Sequence, residues 1–509
     1  MKKHLVKILA FVMVLAMIIP TITALGSKGP VPVKGAQEKN IVSLGTTTAP
    51  KYIFLFIGDG MSYPQVQAAS YYLGANAGGS TKVQSKKLNF MNFPVAGSAQ
   101  TFDSTSFCPD SASTATSIST GHKTYSGTIN MDTTMTVPYE AITEKLKNQL
   151  GYKIGVISTV NINHATPAAF YAHQASRNNY YEIGLEMIKS GFDYFAGGAL
   201  LKPTGNDKDK EDLYKLAEKA GYKVIKKQAD AQKLTAKDGK AIIIGEKLAD
   251  SDSISYNMDA ASGEWKLVDY VKKGIEVLNA DNSGFFMMVE GGKIDWACHA
   301  NDAASTINDT VALANAVDEA IKFYNQHKDE TLILVTGDHE TGGLTIGFAG
   351  TNYDTYLTNI ANQKISYAKF DSDYVSKYKA NKTPFYQVLN DVKDKFGLVA
   401  QSDPASAKVD KTLVLTDYEF QLLQQAYTRT INGIKTQTQE EYVLYGSYEP
   451  LTVTITHILN NKSGIGFTSY SHTGIPVPVF AMGNGAQLFE GYYDNTNIYF
   501  NLASLTNVR

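Results

Sequence analysis

The sequence predicts an α/β fold: a doubly wound, mostly parallel central sheet flanked by helices, with a smaller unit inserted into it. Three observations carry that expectation. Apolar runs of strand length recur at Tyr52–Ile57, Lys153–Val160, Gly284–Val289 and Thr331–Thr336, as expected of strands covered by helices on both faces. Helical patterns separate many of these runs, in the strand–helix–strand rhythm of parallel sheets. Carboxylates also stand at the carboxyl ends of three of them, at Asp59, Glu290 and Asp338, where open α/β sheets bind their ligands.

Composition sets the outer bounds. The chain has 509 residues, a net charge of −2 and 43% hydrophobic residues, enough for a large core and too balanced in charge to suggest a nucleic-acid partner. Arginine occurs only at positions 177, 429 and 509, so each arginine stands out where lysine is the usual cation. The two cysteines, Cys108 and Cys298, exclude a disulfide scaffold and leave one bridge or two free thiols open. The basic residues of a sulfatase-type modified cysteine do not follow Cys108.

At the N-terminus, Lys2, Lys3 and Lys7 precede the apolar run Ile8–Ile19, then Pro20 and the small-residue exit Thr21–Ala24. Residues 1–24 read as a secretory signal peptide, so the protein is expected to be secreted, periplasmic or extracellular, with no membrane attachment after cleavage. Residues 25–50 form a flexible lead-in.

The first strand, Tyr52–Ile57, ends at Asp59 and leads into a helix over Pro64–Leu73. In the stretch Phe107–His122, FCPDSASTATSISTGH, Pro109 and Asp110 are helix-start residues that place Ser111 in the first helical turn. A hydroxyl there faces the positive helix end, which favours anions and a developing alkoxide. A helix over Tyr139–Leu150 precedes the strand Lys153–Val160. At that strand's exit stand His164 and Thr166, and Pro167 is read as opening a helix that carries His173 and Arg177. The pattern continues through Phe192–Ala196 and Asp212–Gly221, and residues 223–265 read as surface connections.

A helix over Leu267–Leu278 and the strand Gly284–Val289 lead to Glu290. Beyond it, Asp295 and His299 have the i, i+4 spacing that puts two ligands on one helix face. The helix Ala303–Gln326 precedes the strand Thr331–Thr336 and the pair Asp338–His339. Residues 341–470 change character, rich in Tyr, Lys and Asn, with helices near Pro384–Phe396 and Asp417–Thr428, and read as holding the inserted unit. The chain returns with His472 and the strand Val477–Met482.

Asp59, Glu290, Asp338 and Asp295 would repel one another in one crevice. With His164, His299, His339 and His472 they form a set of oxygen and nitrogen donors suited to divalent cations.

Six segments in order then resemble the bacterial alkaline phosphatase family: IGDGM (57–61), DSASTATSISTG (110–121), HATPAAFYAHQASR (164–177), VEGGKIDWACHA (289–300), TGDHETGG (336–343) and SHTG (471–474). The resemblance spans nearly the whole mature chain and implies a catalytic domain over residues 51–509 with a crown-like insertion within 344–465. It implies a phosphomonoesterase in which Ser111 forms a phosphoserine and Arg177 grips the phosphate. Asp295, His299 and His472 would hold one Zn2+. Asp59, Asp338 and His339 would hold a second, and Asp59, Thr166, Glu290 and His164 a third divalent ion. Two departures from a well-known branch stand out: His164 replaces an aspartate, favouring Zn2+ or Co2+ over Mg2+, and Trp296 replaces a lysine near the phosphate. Small phosphate monoesters and a homodimer are further implications. A phosphodiesterase of the same superfamily, or a non-catalytic phosphate- or metal-binding protein, are the alternatives.

Overall fold

A computed structural model describes residues 49–78, 83–279, 281 and 283–509. The signal-peptide reading and nearly all of the lead-in lie outside them. The main strands are β1 (Tyr52–Gly58), β2 (Val95–Gln100), β3 (Lys153–Asn161), β4 (Tyr194–Gly198), β5 (Lys223–Ile225), β6 (Ala241–Ile244), β7 (Phe285–Glu290) and β8 (Thr331–Gly337). Two-residue strands β9 (Glu340–Thr341), β10 (Thr345–Ile346), β11 (Ile465–Gly466) and β12 (His472–Thr473) follow, then β13 (Val477–Gly483) and β14 (Gly491–Asp494).

Ten strands form one sheet in the order β14-β2-β13-β8-β1-β7-β3-β4-β6-β5. Neighbours run parallel except β13, which is antiparallel to both β2 and β8. The buried central strands alternate strictly between two cores. Ile53, Leu55 and Ile57 face one, which includes the helices Ser111–Thr120 and Thr496–Thr506. Tyr52, Phe54 and Phe56 face the other, under the helices Leu267–Leu278 and Ala303–Gln326. This is the period-two consequence of a strand apolar on every residue.

Register decides where the acids meet. Ile57 pairs with Glu290 on β7 and with Thr336 on β8, and Gly58 pairs with Gly337. Asp59, Glu290 and Asp338 therefore leave the sheet at one level, at its carboxyl edge.

Two expectations need correction. Residues 223–265 contain the edge strands β5 and β6 and the helix Gln228–Lys233; three- and four-residue strands between lysine-rich turns leave little periodic signal. The helix opening near Pro167 spans only Ala165–Ala168 and carries neither His173 nor Arg177. The amides beyond it bond elsewhere: Gln174 N to Ile129 O, Arg177 N to Gly127 O and His173 N to the Glu186 carboxylate.

The chain leaves the sheet domain at β10 and returns at β11, its antiparallel partner. Between them Phe370, Val392, Phe396, Leu423, Leu451 and Ile455 belong to a separate hydrophobic cluster. Its central helix, Pro450–Ser463, begins with a proline in the first turn and ends at Gly464 in the left-handed conformation, φ 78°. No described helix is long and apolar enough to cross a membrane.

Candidate active site and metal centre

Ser111 opens a ten-residue helix whose residues are all buried. So polar a helix can be buried because its hydroxyls bond within it: Ser117 Oγ donates to Ser113 O at 3.0 Å and Thr120 Oγ1 to Thr116 O at 2.7 Å. Asp110 caps it, accepting from Ser113 N at 3.1 Å. Ser111 Oγ then lies 3.3 Å from Asp59 Oδ1 and 3.1 Å from His339 Nε2.

The other ten candidate site residues singled out in the sequence come together around that hydroxyl. Asp295, His299 and His472 form one group whose donor atoms lie within 4.8 Å of one another, and Asp59, His164 and Glu290 form another. Asp59, Asp295 and His339 form a third such group, so Asp295 stands between the sets rather than at one end. Asp338 Oδ2 lies 3.5 Å from His339 Nε2, and Asp338 also accepts from Gly60 N and Thr114 Oγ1 at 3.2 Å each. Thr166 Oγ1 donates to Asp59 Oδ2 at 3.3 Å. Gly60, at φ +69°, permits this crowding: a Cβ there would sit 2.8 Å from Thr341 Oγ1 and 3.0 Å from Asp295 Oδ1.

Three imidazoles are oriented alike. His299 Nδ1 is 2.6 Å from Tyr470 O, His472 Nδ1 is 2.6 Å from Pro109 O, and His339 Nδ1 is 3.2 Å from Thr341 Oγ1. An Nδ1–H held by oxygen leaves the Nε2 lone pair for a cation, the arrangement by which outer hydrogen bonds set a metal ligand's tautomer. The Nε2 atoms of His299 and His472 face each other at 3.1 Å. Both the Glu290 Oε1 and His164 Nδ1 atoms are buried without a hydrogen-bond partner among the described residues. Orphaned donors and acceptors of this kind fit a divalent cation.

Electrostatics agree. Burial, then the charges of Asp338, Asp295 and Glu290, push Asp59 well above the usual carboxylate range. Burial likewise pushes Asp338 up to about 7 and Glu290 to about 8. Asp295 goes the other way: against its burial, His299 and His472 hold its carboxyl well below the usual range. A cation that replaced these protons would relieve the repulsion.

Arg177 reaches in from the loop after the short helix. Its Nη1 donates to Asp110 Oδ2 at 2.8 Å and its Nη2 lies 3.5 Å from His164 Nε2. Burial raises the Asp110 carboxyl, but Arg177 and the Gly127 amide outweigh it and bring it down to about 2. Asp110 thus has two jobs, helix cap and arginine anchor, and only the first was readable in sequence. Thr341, which donates to Asp295 Oδ1 at 2.5 Å, and Thr114 were likewise missed. Trp296 packs against His164, ring centroids 6.0 Å apart. Of the thiols, Cys108 is exposed and Cys298 buried, and both are free.

His173, given no role from sequence, clamps the Arg177 loop. Its Nε2 lies 3.2 Å from Glu144 Oε2 and its Nδ1 3.3 Å from Glu186 Oε2. Burial lowers its pKa, but the two carboxylates outweigh that and raise it from 6.5 to about 9. The clamp therefore stabilises fully below the unfolded value and is lost as pH rises through about 9. His173→Ala should cost about 1–3 kcal/mol at low pH. Thermal melts should show that loss at pH values below the ordinary histidine range and little of it well above the clamp's own pKa; an equal loss at both would refute the charged clamp.

Comparisons with known proteins point the same way. A family model described as alkaline phosphatase matches residues 50–508. "Alkaline phosphatase 3" of Bacillus subtilis (strain 168) is 30% identical over 484 residues, 94% of this chain and 92% of that one. A cold-active alkaline phosphatase from a psychrophilic Shewanella sp. superposes with TM-score 0.72 at 28% identity, over 89% of this chain and 99% of that one. A His-to-Glu mutant of the alkaline phosphatase from the Antarctic bacterium TAB5, described with Mg bound in its M3 site, has TM-score 0.61 at 26% identity, covering 91% of this chain and 99% of that one.

Proposed function

This chain belongs to the alkaline phosphatase family, and from that premise we propose that it releases inorganic phosphate from small phosphate monoesters through a phosphoserine on Ser111. The observation that carries the reading is one buried hydroxyl, Ser111 Oγ, in contact with Asp59 and His339, with Arg177 anchored on Asp110, the residue before it. The family is metal-dependent, and the donor groups here fit that chemistry.

Asp295, His299 and His472 are proposed to hold one zinc, and Asp59, Asp338 and His339 the second. Asp59, Glu290, Thr166 and His164 are proposed for a third divalent ion. When bound, such ions supply Lewis acidity that lowers the serine pKa and neutralises charge at the leaving oxygen. A nitrogen donor at His164 favours zinc or cobalt for the third ion, whereas Mg2+ prefers oxygen. The magnesium named for the TAB5 His-to-Glu mutant is in keeping with that preference.

The chain's own residues do the rest. Arg177, held in place by Asp110, offers a fork for two nonbridging phosphate oxygens, which lysine cannot imitate. Ser111 attacks phosphorus: its O–P bond forms as the ester P–O bond breaks, and the alcohol leaves with the proton the serine gives up. Water then splits the phosphoserine, restoring the hydroxyl and freeing phosphate. The helix start at Asp110–Ser111 adds a favourable field for the anion. Secretion, from the N-terminal segment, and a homodimer and a crown-like insertion within 344–465, from family resemblance, complete the proposal.

A phosphodiesterase reading is disfavoured by Arg177, since a guanidinium fork beside the metal ligands suits a terminal dianion. The protein should hydrolyse an aryl phosphate monoester with kcat/KM at least about tenfold above that for a bis-aryl diester. Faster turnover of the diester would overturn the choice.

A further inference from the structure

The zinc site assigned to Asp295, His299 and His472 is tied to the insertion through a residue that is not a ligand. Asn301 follows the helix Lys293–His299, which supplies Asp295 and His299, and stands in the left-handed region at φ 50°. Asparagine is one of the few residues besides glycine that visits that region readily, so a turn between two helices accounts for its backbone. It does not account for the side chain. Asn301 is buried, and its Nδ2 donates to Cys298 O at 2.8 Å and across to Ser469 O at 2.9 Å. Ser469 lies just before Tyr470 and His472, and the Tyr470 carbonyl holds His299 Nδ1 at 2.6 Å. One amide therefore fastens together the two segments that carry Asp295, His299 and His472.

The insertion completes that amide's bonding from its central helix, Pro450–Ser463. His457 Nε2 lies 3.0 Å from Asn301 Oδ1, and Asn460 Nδ2 donates to Asn301 O at 2.7 Å. Because Nδ2 is committed to two carbonyls, Oδ1 has to accept, which places the His457 proton on Nε2. Burial pushes His457 down to about 4, so the neutral ring has that one N–H to give. The same ring packs on Tyr470, with centroids 5.9 Å apart. The turn at Asn301 requires none of these contacts.

We propose that Asn301 and His457 are positioning residues for this metal site: together they fix His299 relative to His472, so that the insertion governs how tightly the ion is held. The inference rests on the metal-dependent phosphatase reading above. Both residues act through the two histidines.

The test measures zinc binding beside turnover. Asn301→Gly keeps a residue suited to positive φ and removes only the amide. Competition against a graded series of zinc chelators should show one ion per chain bound about tenfold more weakly than in wild type, the scale on which a hydrogen-bond partner behind a metal ligand is felt. Phosphate release should recover at excess zinc. His457→Leu should show the same weakening, and His457→Gln, whose amide can still donate to Asn301 Oδ1, should restore wild-type binding. The two His457 variants carry the test by themselves if Asn301→Gly does not fold. Wild-type zinc affinity in Asn301→Gly and His457→Leu, with only a lower melting temperature of the chelated protein, would make the network purely structural and overturn the proposal while the phosphatase reading stands. Equal weakening in His457→Leu and His457→Gln would also overturn it. A wild-type protein that neither binds zinc nor releases phosphate from an aryl monoester overturns both readings.

Discussion

Ser111→Ala lowers phosphate release from a simple aryl monoester by roughly a thousandfold or more, the scale on which losing a nucleophile is felt when the rest of a site is left intact. The fold is not at risk. Ser111 is the first residue of its helix, the cap is Asp110, and the hydroxyl makes no bond that the helix depends on. The expected loss is therefore in kcat, with Arg177 and its Asp110 anchor still available to bind phosphate. A direct readout accompanies it. Wild-type protein quenched in acid during turnover of labelled substrate should retain covalent phosphate, and Ser111→Ala should retain none. Full activity in the variant, or equal labelling of both proteins, would refute serine as the nucleophile.

That serine was legible because its setting is local. Asp110 before it, the small residues after it and Gly121 at the end spell a short capped helix, and the structure has that helix with Gly121 at φ 77°. Asp59, Glu290 and Asp338 were legible for a different reason: each follows an uninterrupted apolar strand, and parallel register brings such strand ends to one level. What sequence could not show depends on long-range partners. The link from Asp110 to Arg177 joins residues 67 apart, and Thr341 acquires its role only because β9 pairs with β12 and presents it to Asp295. Pro450–Ser463 was missed because PLTVTITHILNN alternates Thr with Val and Ile, a strand-like period; burial on nearly every side, not propensity, makes it a helix. The loop carrying Arg177 was read as helical for want of any signal that Glu186 and Ile129 would take its amides.

Removing the metals should be as severe as removing the serine, and it should cost stability as well as activity. Without cations the site is a cluster of acids whose ionised forms are penalised: Asp59 is pushed well above its usual range, Asp338 up to about 7 and Glu290 to about 8. A carboxylate whose pKa is raised by folding leaves the folded state less stable once pH passes the ordinary carboxylate range, and the loss is complete above the folded value. Chelated protein should therefore melt at progressively lower temperature as pH rises toward about 8, driven first by burial and then by mutual repulsion. Metal-loaded protein should not follow that slope, because the cations compensate the carboxylates and bind only the folded arrangement. Loading should also release protons, notably from His299, which Asp295 raises to about 9 in spite of its burial. The measurement is a pair of melting curves against pH, with and without chelator, beside phosphate release and elemental analysis of the loaded protein. Chelation that leaves both the melting temperature and turnover unchanged at alkaline pH would mean that protons alone hold these acids together, and the metal assignment would fall with it.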